Sequence, residues 1–203
     1  MNEIQTLPTF YAGTKFRSRL EARWAIFFDH CGIKWEYEPE GYLLEDGTCY
    51  LPDFLLHGLV GRVEGDLFVE VKGKLTEEDA KKISMFINGK KGINIGNGEM
   101  CHLFARPLLL VGNIFTHNGG KGYISRCFDM WCDERCPGSL EYFSYTTIDG
   151  DCFGCALGVN HNGEAETFGA DSSYTCDCDE ITTEAAFFMA RNAQFTRQGK
   201  YIE

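Results

Sequence analysis

Apolar residues in the first part of the chain recur with the period of a helix. Over residues 14–31 they lie three or four positions apart, which predicts an amphipathic helix with one buried face. The members of this stripe are Leu20, Trp24, Phe27, Phe28 and Cys31. Gly32 follows directly and predicts the end of the helix.

The pattern then changes to strands. Apolar and charged residues alternate over residues 33–38, which predicts a half-buried strand. Asp46-Gly47 predicts a hairpin turn that leads into a second strand over residues 49–58, and residues 67–72 predict a third. A helix over 75–91, capped by Thr76, and an apolar strand over 106–115, buried on both faces, follow. The order of helix, three-stranded meander, helix and strand predicts an α/β core with a mixed sheet.

From about residue 116 glycine and cysteine become frequent and the periodicity weakens. We therefore expect two regions, a core over residues 10–115 and a small Cys-rich region over 116–203. The second region ends in a predicted helix over residues 182–199. Its aromatic residues Phe187, Phe188 and Phe195 are expected to pack back on the core.

Charge is distributed unevenly around a formal net charge of −11. Residues 1–110 carry 13 Lys/Arg and 16 Asp/Glu (−3), whereas residues 111–203 carry 6 and 14 (−8). Such a chain is a poor candidate for strong, non-specific nucleic-acid binding, so nucleic-acid contacts require a local basic patch or bound cations. No apolar run approaches the length of a membrane span, and residues 1–10 lack the pattern of a secretory signal. We expect a soluble cytoplasmic protein.

Charged residues occupy strand positions that otherwise favour apolar side chains. Asp53 follows Pro52 in the second strand, while Glu70 and Lys72 are two positions apart in the third and share a face. If these strands are neighbours, Asp53 and Glu70 converge, and a divalent cation would relieve their repulsion. Glu21 on the first helix could complete the ligand set. Lys72 could contact a phosphate oxygen or help to activate a water.

Each of these features also has an ordinary structural explanation. A Glu-X-Lys pair is commonly a solvated strand face, and Pro-Asp is commonly a turn. Their order along the chain, on the expected elements, favours a metal site suited to phosphodiester hydrolysis.

Pro52-Asp53, a spacer of sixteen residues, Glu70-Val71-Lys72 and the earlier Glu21 together resemble the motif of the PD-(D/E)XK nuclease superfamily. The chain is most similar to the phage endonuclease I type of Holliday-junction resolvase. The similar stretches are FRSRLE (16–21), GIKWEYE (32–38), PDFLL (52–56) and VEVKG (69–73). They fall within residues 10–112, about half of the chain.

This resemblance implies a restriction-endonuclease-like core and a phage-encoded enzyme that cleaves DNA with Mg²⁺ or Mn²⁺. It implies that Asp53 and Glu70 bind the metal, that Glu21 supports a metal site, and that Lys72 positions or activates the attacking water. The resembling resolvases act as dimers on branched DNA. This chain differs from those resolvases in its acidic charge and its Cys-rich second half. Branched, replicating and host DNA therefore all stay open as substrates, and a homodimer stays open as the oligomeric state.

Basic residues flank the proposed site and are candidate DNA contacts. Arg17 and Arg19 precede Glu21 on the helix, and Lys74 follows Lys72 by two positions. These side chains could contact backbone phosphates near the cut. Exposed helix faces paired with neighbouring acids are the alternative explanation.

Cysteine spacing predicts one structural zinc in the second region. Cys152-X2-Cys155 is typical of half a tetrahedral site, and without an export signal metal binding is favoured over disulfides. The other half stays open between Cys176 with Cys178 and the rival pair Cys132 with Cys136. Cys31 and Cys49 are instead expected to be buried free thiols.

Two further functions stay open. The chain could be a zinc-containing DNA-binding adaptor without catalysis, or a DNA-end-cleaving subunit that takes its DNA affinity from a partner protein. A buried, complete Asp53/Glu70/Lys72 set favours the enzyme over the adaptor, because a binding protein has no need to bury those charges.

Overall fold

The computed structural model describes residues 8–61, 65–88, 108–112, 114, 120–125, 140–145, 158–159, 162, 165–167 and 180–202. The helices are α1 (Arg19–His30), α2 (Glu77–Asn88) and α3 (Glu180–Asn192). The strands, in chain order, are β1 (Thr9–Tyr11), β2 (Thr14–Phe16), β3 (Lys34–Tyr37), β4 (Tyr42–Leu43), β5 (Cys49–Tyr50), β6 (Phe54–Gly61), β7 (Gly65–Val71), β8 (Leu108–Val111), β9 (Gly120–Ser125), β10 (Leu140–Tyr145), β11 (Gly158–Val159), β12 (Ala165–Thr167), β13 (Gln194–Phe195) and β14 (Tyr201–Ile202).

The main sheet mixes antiparallel and parallel pairs. Its order is β10-β9-β8-β7-β6-β12-β11, with β3 also paired to β6. β3, β6 and β7 form the predicted antiparallel meander, and β7 pairs with β8 in parallel. The prediction of a mixed α/β fold is confirmed. The predicted boundary near residue 115 lies between β8 and β9, which are neighbours in this same sheet.

Helices cover both faces of the sheet. One face packs against α1 and α3, through residues such as Val69, Leu109 and Val111. The other face packs against Ile83, Phe86 and Ile87 of α2, through Leu108 and Leu110. All four residues of β8 are buried, which confirms the prediction of a strand buried on both faces.

The first helix begins later than its sequence pattern predicts. Residues 14–16 form β2 because Phe16 pairs with Thr9 of β1 and is fully buried. The helix begins after Ser18, whose Oγ accepts a hydrogen bond from the Glu21 backbone N–H at 3.2 Å. The sequence Ser18-Arg-Leu-Glu21 is a capping box, and this signal places the helix start correctly.

The terminal helix packs on α1, with the Phe187 ring stacked on Phe27 at a centroid distance of 4.3 Å. Phe195 is partly buried against the same core. The prediction that Phe188 packs inward is wrong, since it is 56% exposed. Cys31 is buried as predicted, but Cys49 is exposed because its neighbour Tyr50 takes the inward position in β5.

None of the helices in the described ranges is both long enough and apolar enough to cross a membrane.

Candidate active site

Strand pairing brings Asp53 and Glu70 together at one end of the sheet. Phe54 pairs with Val69 in the β6–β7 ladder, so Asp53, one residue before Phe54, lies opposite Glu70. Both side chains are buried, at 2% and 3% exposure. Buried acids require compensating partners, because removing their charge from water is costly.

Asp53 is held by one backbone and one side-chain donor. Its Oδ2 accepts a hydrogen bond from the Val71 N–H at 2.7 Å, and its Oδ1 contacts the Arg17 guanidinium. Burial and the nearby charge of Glu70 raise the pKa of Asp53 to about 7, against the opposing effects of the Val71 bond and Arg17. The site therefore accommodates a second negative charge poorly unless a further cation is present.

Glu70 is held between a tyrosine and a lysine. The Tyr50 hydroxyl donates to Glu70 Oε2 at 2.7 Å in a buried contact, and Lys72 Nζ lies 2.8 Å from Glu70 Oε1. Lys72 Nζ also lies 3.5 Å from Asp79 Oδ1 at the start of α2. Burial opposes its charge, but the charges of Glu70 and Asp53 outweigh that effect and raise the pKa of Lys72. Lys72 is thus an ammonium at neutral pH and acts as a fixed positive charge.

Glu21 is engaged mainly in building the start of α1. One carboxylate oxygen accepts from the Ser18 hydroxyl at 2.7 Å, and the other accepts from the Tyr37 hydroxyl at 2.5 Å and the Arg17 backbone N–H at 3.1 Å. The side chain is 7% exposed. Its negative charge contributes to the raised pKa of Asp53. Glu21 therefore influences the site through the effect of its charge on Asp53, while its oxygens form hydrogen bonds at the start of α1.

We call Asp53 and Glu70 the carboxylate cluster. Across the parts of the chain that the structure describes, no three His, Cys, Asp or Glu side chains are grouped to hold a metal ion. Mg²⁺ does not need such a group, since it keeps several waters and is commonly held by one or two carboxylates together with substrate phosphate. The hard oxygen donors of Asp53 and Glu70, whose charges repel, fit this kind of binding. These two residues would hold Mg²⁺ or Mn²⁺.

The three predicted DNA contacts have different surroundings. Arg17 lies in the site, where its Nε is 2.9 Å from Glu38 Oε1 and its guanidinium contacts Asp53. Arg19 instead extends along the surface, with its guanidinium 3.4 Å from the Thr196 carbonyl oxygen. Lys74 is exposed and has no ion pair with any described residue.

Four residues of the site were not anticipated from the sequence. Tyr50 and Tyr37 donate to Glu70 and Glu21, Glu38 pairs with Arg17, and Asp79 lies beside Lys72. The position of Asp79 could have been predicted from the sequence, because Thr76 and Asp79 have the spacing of a capping box at the start of α2. In the structure the two residues exchange hydrogen bonds there. The other three act across strands and have no local signature.

The cysteines of the predicted zinc site lie outside the described residues, so zinc binding stays a prediction. They are Cys132, Cys136, Cys152, Cys155, Cys176 and Cys178.

Comparisons of the chain with protein-family models, with curated proteins and with solved structures found no match. The functional interpretation therefore rests on the residues and their geometry.

Proposed function

We propose that the chain is a divalent-metal-dependent endodeoxyribonuclease with a restriction-endonuclease-like core. One observation carries the proposal: two buried carboxylates, Asp53 and Glu70, lie at the same end of the sheet as the Lys72 ammonium, which contacts Glu70. Buried acids at a sheet end contribute little to folding, and their perturbed ionisation is characteristic of functional sites.

In this proposal a water oxygen bonds to phosphorus, one ester P–O bond breaks, and the leaving oxygen takes up a proton. A bound Mg²⁺ or Mn²⁺ would lower the pKa of the attacking water and stabilise negative charge on the phosphate. Lys72 places a positive charge where the phosphate oxygens gain negative charge, and the contacts with Glu70 and Asp79 fix its position. Tyr50 fixes Glu70, and the Val71 N–H fixes Asp53.

The test is a cleavage assay on supercoiled, linear, single-stranded and four-way-junction DNA with Mg²⁺, Mn²⁺ or EDTA. We expect cutting that needs the metal and that Asp53→Ala and Lys72→Ala abolish, while circular dichroism shows a retained fold. Exposed residues supply the matched controls, Asp66→Ala and Lys34→Ala, which should cut normally. Unchanged cutting by both site variants would reject the assignment.

A DNA-binding adaptor without catalysis is the second candidate. The observation in its favour is that the oxygens of Asp53 and Glu70 already have donors within the chain, namely Arg17, Val71, Tyr50 and Lys72. Metal-independent DNA binding with no cutting of any substrate would support the adaptor over the enzyme. The third possibility, a DNA-end-cleaving subunit, predicts that cutting appears only with a partner protein.

The zinc proposal has its own measurement. Metal analysis of the purified chain should give about one zinc per chain, as one four-thiolate site requires. A stably folded chain free of zinc would reject it.

A further inference from the structure

The two ends of the described chain are basic in an acidic protein. Residues 8–19 and 193–202 carry Lys15, Arg17, Arg19, Arg197 and Lys200, and no Asp or Glu. The nearest acids along the chain are Glu3, Glu21, Glu184 and Glu203. Because the whole chain has a net charge of −11, this concentration of positive charge is a local departure that favours a polyanionic ligand.

Strand pairing places two of these lysines on either side of an aromatic ring. Phe10 of β1 pairs with Lys15 of β2 on one side and forms a parallel bridge with Lys200 on the other. Residues paired across strands project from the same face, so the three side chains stand in a row. All three are exposed, Phe10 at 41%, while Thr9 and Phe16 on the opposite face are fully buried.

The backbone holds this row in place. The Phe10 N–H donates to the Gly199 carbonyl oxygen at 2.7 Å. Gly199 has φ +81°, and a Cβ at this position would lie 2.0 Å from the Pro8 carbonyl oxygen. Only glycine therefore lets the two chain segments approach this closely.

The lysines of the row are available to a ligand. Neither Lys15 nor Lys200 forms an ion pair with another described residue, in contrast to Arg17 and Lys72 in the site. An open cleft of about 480 Å³ adjoins the row, and three of its six lining residues are aromatic. The lining residues are Phe10, Tyr11, Ala12, Gly13, Lys200 and Tyr201.

We propose that this row, the basic platform of Lys15, Phe10 and Lys200, binds a single-stranded segment of DNA. One unpaired base stacks on the Phe10 ring, and the neighbouring phosphates contact the two lysines. An exposed aromatic ring between cations is the arrangement that binds single strands without sequence preference, because every base has a stacking face. A base paired within a duplex does not offer that face.

The platform leads directly to the carboxylate cluster, and its use for substrate rests on the proposed nuclease function. β2 contains Lys15 and ends at Phe16, and the next residue is Arg17, whose guanidinium contacts Asp53. Two residues of fully extended chain span at most roughly 7 Å, so the Cα atoms of Lys15 and Arg17 lie no farther apart than that. A strand of DNA on the platform would reach the site within a short single-stranded stretch.

Fluorescence anisotropy with a labelled thymidine oligonucleotide of ~20 nucleotides in EDTA tests the platform without cleavage. We expect the double variant Lys15→Ala/Lys200→Ala to bind the oligonucleotide more weakly. The slope of the logarithm of the binding constant against the logarithm of salt concentration should become smaller in magnitude by about 1.4, since each single-strand phosphate contact contributes ~0.7. Phe10→Ala should weaken binding by about 5- to 150-fold, and Phe10→Trp should restore it.

Matched controls separate the platform from general effects of charge and apolar surface. Lys34 is exposed, and its strand neighbour Trp35 packs on the α1 side of the sheet, so Lys34 projects towards the other side. Phe188 is an exposed ring on α3. Lys34→Ala and Phe188→Ala should bind like the unaltered chain.

The outcomes distinguish this proposal from the nuclease function. Unaltered binding by the platform variants, tighter binding of a duplex of the same length, or no binding by the unaltered chain would overturn the platform, whatever the cleavage assay shows. Loss of binding in the platform variants, without cleavage of any DNA under any metal condition, would leave the platform standing and reject the nuclease.

Discussion

The carboxylate cluster and the basic platform place charge in the protein in opposite ways. Asp53 and Glu70 are almost fully buried and are each held by two donors. Lys15 and Lys200 are exposed and form no ion pair within the described residues. The two regions are joined through β2 and Arg17.

If the proposed function is correct, this difference predicts different contributions of the two regions to it. Burying a charged side chain is costly, and such side chains are typical of sites that need a fixed geometry. Substitutions of Asp53 or Glu70 should therefore alter both the stability of the protein and the rate of cleavage. Exposed charge costs little to maintain and attracts phosphate over a distance set by salt, so changes there should alter affinity.

The largest effect is expected from Asp53→Asn, which should reduce cleavage by about 1,000-fold or more because it removes a ligand charge. The DNA cleavage assay with Mg²⁺ measures this loss.

The Asp53→Asn change should also stabilise the metal-free protein at pH 8. Since the pKa of Asp53 is raised to about 7, the folded chain keeps a proton between about pH 4 and 7 that the unfolded chain releases, so stability falls as pH rises through that window. Asparagine removes this loss, which we expect to be at most about 4 kcal/mol.

Thermal unfolding in EDTA at pH 5 and pH 8 measures this stability change. Asp66→Asn is the control, since its side chain is 58% exposed. An Asp53→Asn variant that is less stable than the unaltered chain at pH 8 would contradict the proposed charge repulsion.

Binding of Mg²⁺ should stabilise the protein through the same carboxylates. At about 100 times its Kd a ligand adds ~2.7 kcal/mol, which corresponds to a Tm increase of roughly 5 to 10 °C for a chain of this size. We expect the increase to be larger at pH 8 than at pH 5, because protonated Asp53 binds a cation poorly. Differential scanning fluorimetry would detect it, and an equal increase in Asp53→Asn would place the ion elsewhere.

Removing the hydroxyl that positions Glu70 should have a smaller effect. Tyr50→Phe loses the 2.7 Å bond to Glu70 and keeps the ring that packs on Phe86. Partners that orient metal-binding carboxylates typically contribute 10- to 100-fold to metal affinity or activity. The apparent Kd for Mg²⁺ in the cleavage assay should rise by about that factor. The analogous Tyr37→Phe, which acts on Glu21, is expected to change the Mg²⁺ dependence less.

The smallest effect is expected from Lys200→Ala alone. Loss of one phosphate contact should raise KM for a single-stranded substrate a few-fold at low salt and leave kcat unchanged. A titration of substrate at two salt concentrations measures this, with Lys34→Ala as the control. A fall in kcat at saturating DNA would show that Lys200 affects the site itself.

Much of the fold was predictable from short-range patterns. The periodicities of 3.6 and 2 predicted α1, α2, β3, β7 and β8, and the apolar run of β8 predicted burial on both faces. The helical pattern predicts a start of α1 that is too early, because residues 14–16 also fit it but pair with β1 as a strand instead. The burial of Cys49 could not be predicted from local pattern for the same reason. Whether Cys49 or Tyr50 of β5 points into the core depends on the distant residues that pack against Tyr50.

The sequence by itself identified the residues that we propose carry the chemistry: an acid after Pro52, and Glu70 and Lys72 on one strand face. The tertiary structure alone decided their surroundings. Tyr50 meets Glu70 and Arg17 meets Asp53 across 20 and 36 positions of chain, and Phe10 lies beside Lys200 across almost its full length. Local sequence patterns depend only on residues that are close along the chain. The raised pKa of Asp53 and the arrangement of Lys15, Phe10 and Lys200 depend on residues that are distant along the chain and that only folding brings together.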